Sequence, residues 1–262
     1  MARPRPGSTC DRNAPLPYLS LMRTCPLILV LAAAAAGSLH AQSSRAPKPD
    51  ARRLTLGTDS LDVFVVRQGR PLRTGAIVDR LDTVRLGGEL LLRRVYRRTD
   101  AALGNGVDTL VDRFPDLTPH SVRSASDGGG TETLAWRAGR MTGAVERSGS
   151  STRTIDTTAA ASTFSRSSVD LVLRASPLAV GYEVAVPAYS ARQGAATIAA
   201  RVAASETLPG FGPAWRVEAD YAGMPVTFWI DAGSRRVVRQ LIRVAPGTEL
   251  LYVAARRGGE GR

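Results

Sequence analysis

The stretch WRVEADYAGMPVTFWIDAGSRRVVRQ, from Trp215 to Gln240, changes character at every second residue. Trp215, Val217, Ala219 and Tyr221 form one phase, and Arg216, Glu218 and Asp220 form the other. After the AGMP connector, Val226, Phe228 and Ile230 resume the apolar phase against Thr227, Trp229 and Asp231. Successive side chains of a strand point to opposite faces, so a period of two specifies antiparallel strands with one covered face. No helix satisfies it.

The same alternation runs through most of the chain. Leu61 to Arg67 and Thr74 to Leu81 read as a hairpin joined through QGRP, followed by Leu90 to Arg98 and Val107 to Arg113. Ser121 to Ala125 and Thr133 to Arg137 flank the turn cluster DGGG, and Met141 to Glu146 and Arg153 to Thr157 continue the ladder. Tyr182 to Val186 and Thr197 to Ala203 precede a four-strand meander over Trp215–Tyr221, Val226–Asp231, Val237–Val244 and Leu250–Ala254. One segment differs. In SSVDLVLRASP, Val169, Val172 and Leu173 have helical spacing, serines stand at the start and Pro177 at the stop. The fold class is therefore mainly β: an antiparallel, curved, open half-barrel-like sheet with one short helix placed to plug its open side.

The domain plan follows from composition. Leu27 to Ala36 is an apolar run too short for the roughly 20 residues that cross a hydrocarbon core. With Arg23 before it and small residues up to Ala41, it reads as a secretory signal peptide. Residues 1–41 are thus a presequence, with translation expected to start at Met22 and cleavage expected before Gln42. Residues 42–53 are a proline-rich flexible lead-in, 54–254 a single β domain, and 255–262 a frayed tail. The mature chain is expected to be exported, to the periplasm or the extracellular space, with no transmembrane segment.

That cut bears on chemistry. Cys10 and Cys25 lie upstream of it, so the mature chain has no disulfide, thiol nucleophile or cysteine metal site. His40 is upstream too, leaving His120 as the single histidine, which disfavours zinc ligation and a Ser-His-Asp triad. The formal charge is +12, of which Arg3, Arg5, Arg12 and Arg23 against Asp11 place +3 upstream, leaving +9. Arginines alternating with acids along strands do not make a nucleic-acid surface. A positive surface does favour anionic lipid head groups.

Four segments carry a resemblance. These are DVFVVRQGRPLRTGAIVDRL, DRFPDLTPHSVR, VDLVLRASPLAVGYEVAVP and FWIDAGSRRVVR. In this order they resemble exported bacterial proteins grouped as domain of unknown function 3108, over about Asp62 to Val253. The resemblance implies no catalytic residues. Its fold is similar to the half-closed β-barrels of the lipoprotein localisation (Lol) carriers, which hold acyl chains in a concavity, but fold analogy alone does not transfer function.

Paired carboxylates remain as acid–base candidates. Glu218 and Asp220 share the solvent phase with Arg216, where charges pair across strands. Asp79 and Asp82, and Asp108 and Asp112, read as solvated charges near strand ends. The DGGG run at Asp127 to Gly130 lacks a following lysine and is a hairpin turn, not a phosphate loop. The binding hint lies in the aromatics: Trp136, Tyr182, Trp215 and Trp229 are candidates to line an apolar groove. Trp229 stands out because it opposes Phe228 and Ile230: either both faces of its strand are covered, which a helix plug such as Val169 to Leu173 would fit, or an indole is exposed.

The expected function is non-catalytic: an envelope protein binding a lipid, acyl chain or other apolar ligand, with no cofactor and no metal. The alternative is a protein-interaction or scaffold module whose sheet edge pairs with an envelope partner. A third option, a hydrolase using carboxylates alone, requires two acids converging in a cleft.

Overall fold

The computed structural model describes residues 46–147, 149–160 and 162–255. The presequence through Ala41, with both cysteines and His40, lies outside them, as does the tail from residue 256.

Eight strands form a first meander: β1 (Gly57–Arg67), β2 (Arg70–Leu86), β3 (Glu89–Asp100), β4 (Gly106–Arg113), β5 (Pro119–Ser126), β6 (Gly130–Arg137), β7 (Arg140–Glu146) and β8 (Arg153–Thr158). A two-residue strand β9 (Phe164–Ser165), a 3-10 turn at Arg166–Ser168 and helix α1 (Val169–Ala175) follow. Six strands complete the chain: β10 (Glu183–Ser190), β11 (Gly194–Leu208), β12 (Gly212–Asp220), β13 (Pro225–Asp231), β14 (Val237–Ala245) and β15 (Thr248–Ala254). Every strand expected from alternation is present. Most run longer, because hairpin strands extend to their tight turns. Gln68 and Gly69 make one such turn with φ of 49° and 77°, the positive values a two-residue hairpin of matching twist requires.

The two meanders merge edge to edge. β15 pairs antiparallel with β1, from Leu61 opposite Ala254 to Arg67 opposite Thr248. The result is one open sheet of 15 strands, with β8 at one end of the order and β9 at the other. It is mainly antiparallel, but mixed, because β9 runs parallel to β10. The sheet bends back on itself without closing. Glu132 of β6 accepts the Ala191 N–H at 2.7 Å, Arg192 donates to the Gly130 carbonyl at 3.0 Å, and Arg153 of β8 donates to the Ala191 carbonyl. The β10–β11 turn is thereby tied to strands far from it in the sheet order.

Helix α1 fills the concavity. Val169, Leu171, Val172 and Leu173 pack with Leu81 and Leu92 from the first meander and with Val184, Ile198, Val217, Phe228 and Ile230 from the second. Seven residues are too few for a helix to persist alone in water, so burial of all but Asp170 sustains it. Ser168 stands at the N-cap position but makes no capping bond, because its hydroxyl turns to Asp112. Ser176 closes the other end, donating from Oγ to the Val172 carbonyl at 2.7 Å. Asp50 to Arg53, within the expected lead-in, are also engaged. Ala51–Arg53 form a 3-10 turn, Asp50 N–H donates to the Ala175 carbonyl, and Ala51 N–H donates to the Pro115 carbonyl. Ala255, the first residue of the expected tail, donates its N–H to Ser60.

The cover of Trp229 corrects an expectation. α1 lies on the Phe228 and Ile230 side, whereas Trp229 sits on the opposite face, 8 % exposed, in a cluster with Ala214, Val238, Leu208 and Phe211. Its indole N–H donates to Glu206 at 2.9 Å, and the Arg239 guanidinium lies 4.7 Å from the ring centroid. Long β11 and its turn supply what a helix was expected to supply.

Strands β6 and β7 approach so closely that a Cβ at Gly143 would collide with the Thr133 carbonyl. Gly143→Ala is expected to cost about 1–3 kcal/mol through forced backbone shift, measurable as a lowered urea midpoint. An unchanged midpoint would refute the close approach.

Candidate functional site

Charged residues converge beneath the concave face. Arg94 of β3 donates from Nε and Nη2 to both oxygens of Asp79 on β2, each at 2.8 Å, and from Nη1 to Asp170 of α1 at 2.7 Å. Arg174, one helical turn after Asp170, lies 3.8 Å from both carboxylates and donates to the Arg235 carbonyl at 2.7 Å. Asp79 is 8 % exposed and Arg94 6 %. Burial alone would raise the Asp79 carboxyl, but the Arg94 guanidinium beside it outweighs burial and holds it below the usual range. Burial lowers Arg174. The network clamps the one α-helix of the described residues onto the first meander.

Asp112 of β4 sits beside this network, 1 % exposed. It accepts one bond, from the Ser168 hydroxyl at 3.1 Å, and its Oδ1 has no partner among the described residues. Burial pushes its carboxyl up to about 7, against the opposing pull of Ser168 and Arg94. Asp79 and Asp112 are therefore not the solvated strand-end charges expected. Asp82 does lie near the surface, paired through both oxygens with Arg93. Phase was the missed signal for Asp79, which falls in register with Ile77 and Leu81, whereas Asp112 shares its phase with Asp108 and Gly106 as well as Leu110 and had no such signal. The Glu218 expectation stands, with Arg201 and Arg216 each 3.0 Å away on the solvent face.

Above the network lies a groove with two adjoining parts. The first part, about 480 Å³, is mainly polar and lined by Arg98, Asp108, Ser126, Glu132, Arg166 and Arg192 among others. The second part, about 190 Å³, is lined by Leu110, Tyr221, Met224, Val226, Phe228 and Ile242 together with Arg94 and Asp170. Tyr96, Asp108, Arg166, Ser167 and Met224 line both, so the two are continuous. Glu132 uses Oε1 on the Ala191 N–H and places Oε2 3.5 Å from Arg192, which commits it to holding the turn.

The four candidate aromatics are not brought together. Trp136 belongs to a cluster of β4–β8, Tyr182 and Trp215 flank the helix core, and Trp229 covers the outer face. None of them lines either part of the groove. His120 sits on β5 with Nδ1 3.3 Å from the Ser121 hydroxyl, away from the groove lining. Among the described residues no cluster of three or more His, Cys, Asp or Glu is placed to hold a metal, and no helix is long and apolar enough to cross a membrane.

Neither curated proteins nor solved structures return a match, so the likeness to the Lol carriers gains no structural counterpart. A profile described as "Protein of unknown function (DUF3108)" matches residues 94–250, from the Arg94 clamp into the last strand, and the chain belongs to that family.

Proposed function

We propose that this chain is a non-catalytic binding protein of the cell envelope that takes an amphiphilic ligand into the concave groove. The observation that carries this reading is the change of lining along one continuous space. A part lined by guanidinium and hydroxyl groups adjoins a part in which Leu110, Val226, Phe228 and Ile242 stand beside polar groups. Pockets that bind by burial combine apolar walls with a few fixed polar groups. The space is small, because α1 packs into the concavity against both meanders. A short chain or the first part of a longer one suits it.

The absence of catalysis belongs to the same reading. Asp112, the acid with the raised pKa, is sealed from the groove, and Glu132 has both oxygens engaged. The scaffold alternative draws on β8, an end strand whose residues are exposed except Ile155. The groove favours the binding reading over it. Native mass spectrometry on chain extracted from the envelope without delipidation is expected to show a retained small amphiphile. Repeated recovery of ligand-free chain would overturn the proposal.

A further inference from the structure

Resting on that amphiphile reading, we infer that Arg98, Arg166 and Arg192 hold the ligand's head, and that this head is a phosphate ester. The three arginines arrive from β3, from the 3-10 turn before α1 and from the β10–β11 turn, and they line one mouth. What they do not bind is informative. Arg98 gives Nε to the Gly104 carbonyl at 3.1 Å and Nη2 to the Leu103 carbonyl at 3.3 Å. Arg166 gives Nη2 to the Tyr221 carbonyl at 2.9 Å and lies 5.4 Å over the Tyr221 ring. Neither forms an ion pair among the described residues. Two guanidinium charges thus face the groove held only by neutral oxygens, with Nη1 of each unspent. Arg192 meets Glu132 and the Gly130 carbonyl and, among the described residues, likewise has no acceptor for Nη1.

Hydroxyl groups complete the donor set. Ser165 and Ser190 accept from the Ser167 and Arg192 N–H groups through their oxygens, which leaves their protons free to donate. Gly129 keeps the mouth open: a Cβ there would strike the Ser126 hydroxyl and come within 3.1 Å of Arg192 Nη1. Guanidinium forks and hydroxyls in this number exceed the two oxygens of a carboxylate and suit the several oxygens of a phosphate. Asp108 is the countervailing charge. It lines both parts of the groove and forms no ion pair among the described residues. It would repel a bare anion, so the head carries a hydroxyl or ammonium that Asp108 accepts.

The test is calorimetric titration of the purified chain with three probes: monomeric dihexanoyl phosphatidylethanolamine, neutral octyl glucoside and inorganic phosphate. The phospholipid is expected to bind tightest. Arg98→Gln and Arg166→Gln should each weaken it by about tenfold, the loss of one charge-assisted contact, while leaving octyl glucoside binding unchanged in protein whose circular dichroism shows it folded. Asp108→Asn should narrow the preference for phosphatidylethanolamine over dihexanoyl phosphatidic acid, which lacks the amine. If octyl glucoside binds as well as the phospholipid and the arginine variants change nothing, the phosphate assignment falls and the amphiphile reading stands. If inorganic phosphate binds as tightly as the phospholipid and octyl glucoside not at all, the arginine site stands and the amphiphile reading falls.

Discussion

Arg94→Met is expected to destabilise the chain by about 3–5 kcal/mol, because removing one member of a buried ion cluster strands its partners. Arg94 supplies three donors to two carboxylates that have otherwise only Arg174 at 3.8 Å. Without it, Asp79 of β2 and Asp170 of α1 are neighbouring anions across the seat of a helix that depends on burial for its existence. For a domain of this size each kcal/mol lowers the melting temperature by about 2–4 °C, so a fall of roughly 6–20 °C is expected. Arg93 is the internal control. It is the next residue on β3 and pairs with Asp82 just as bidentately, but at the surface. Arg93→Met should cost under about 1 kcal/mol, as exposed pairs do. Equal losses for the two variants would show that the clamp does not hold α1.

The contrast between these neighbours also explains what the sequence disclosed. Alternation located every long strand because one face of each is covered and a one-residue slip would invert it. The same alternation carried one buried charge, since Asp79 falls in the apolar phase of its strand with Ile77 and Leu81. Both phases of β3 around Arg94 are apolar, and Asp112 shares its phase with Gly106, Asp108 and Leu110. Arg94 and Asp112 thus had no such signal in their strands, but reading the phase would have exposed Asp79. The Asp170 and Arg174 spacing, one helical turn on a helix buried nearly all round, pointed the same way. Other features had no local signal. β9 is two residues long, and the pairing of β15 with β1 joins segments from opposite ends of the domain. The groove was illegible for a related reason. Arg98, Arg166 and Arg192 are separated widely along the chain and meet only because the sheet bends until the β10–β11 turn reaches β6. Strand phase singled out Trp229 among the four aromatics but not which of them share a face, and the fold distributes them among three clusters.

Asp112→Asn is expected to stabilise the protein at pH 8, by an amount that disappears as the medium becomes acidic. The folded carboxyl is raised from 3.8 to about 7 by burial, and Oδ1 has no partner that would compensate the charge. A raised acid pKa means that the folded chain binds this proton more tightly than the unfolded one. Its contribution to stability is therefore full below about pH 4, declines between about 4 and 7, and is lost above 7. A displacement of about three units corresponds to roughly 4 kcal/mol across that window, the upper limit of the gain. Asparagine has the shape of the protonated carboxyl and carries no charge at any of these pH values. It keeps an oxygen for the Ser168 hydroxyl, while Arg94 and Asp170 are unaltered. Urea unfolding of both proteins from pH 4 to pH 9 should give curves that coincide near pH 4 and separate progressively up to about pH 7. The other carboxylates titrate identically in both and cancel in the difference. If asparagine instead destabilises by a constant amount at every pH, then Asp112 is ionised throughout, and the charge itself, facing Arg94 from beneath the groove, is what the fold requires.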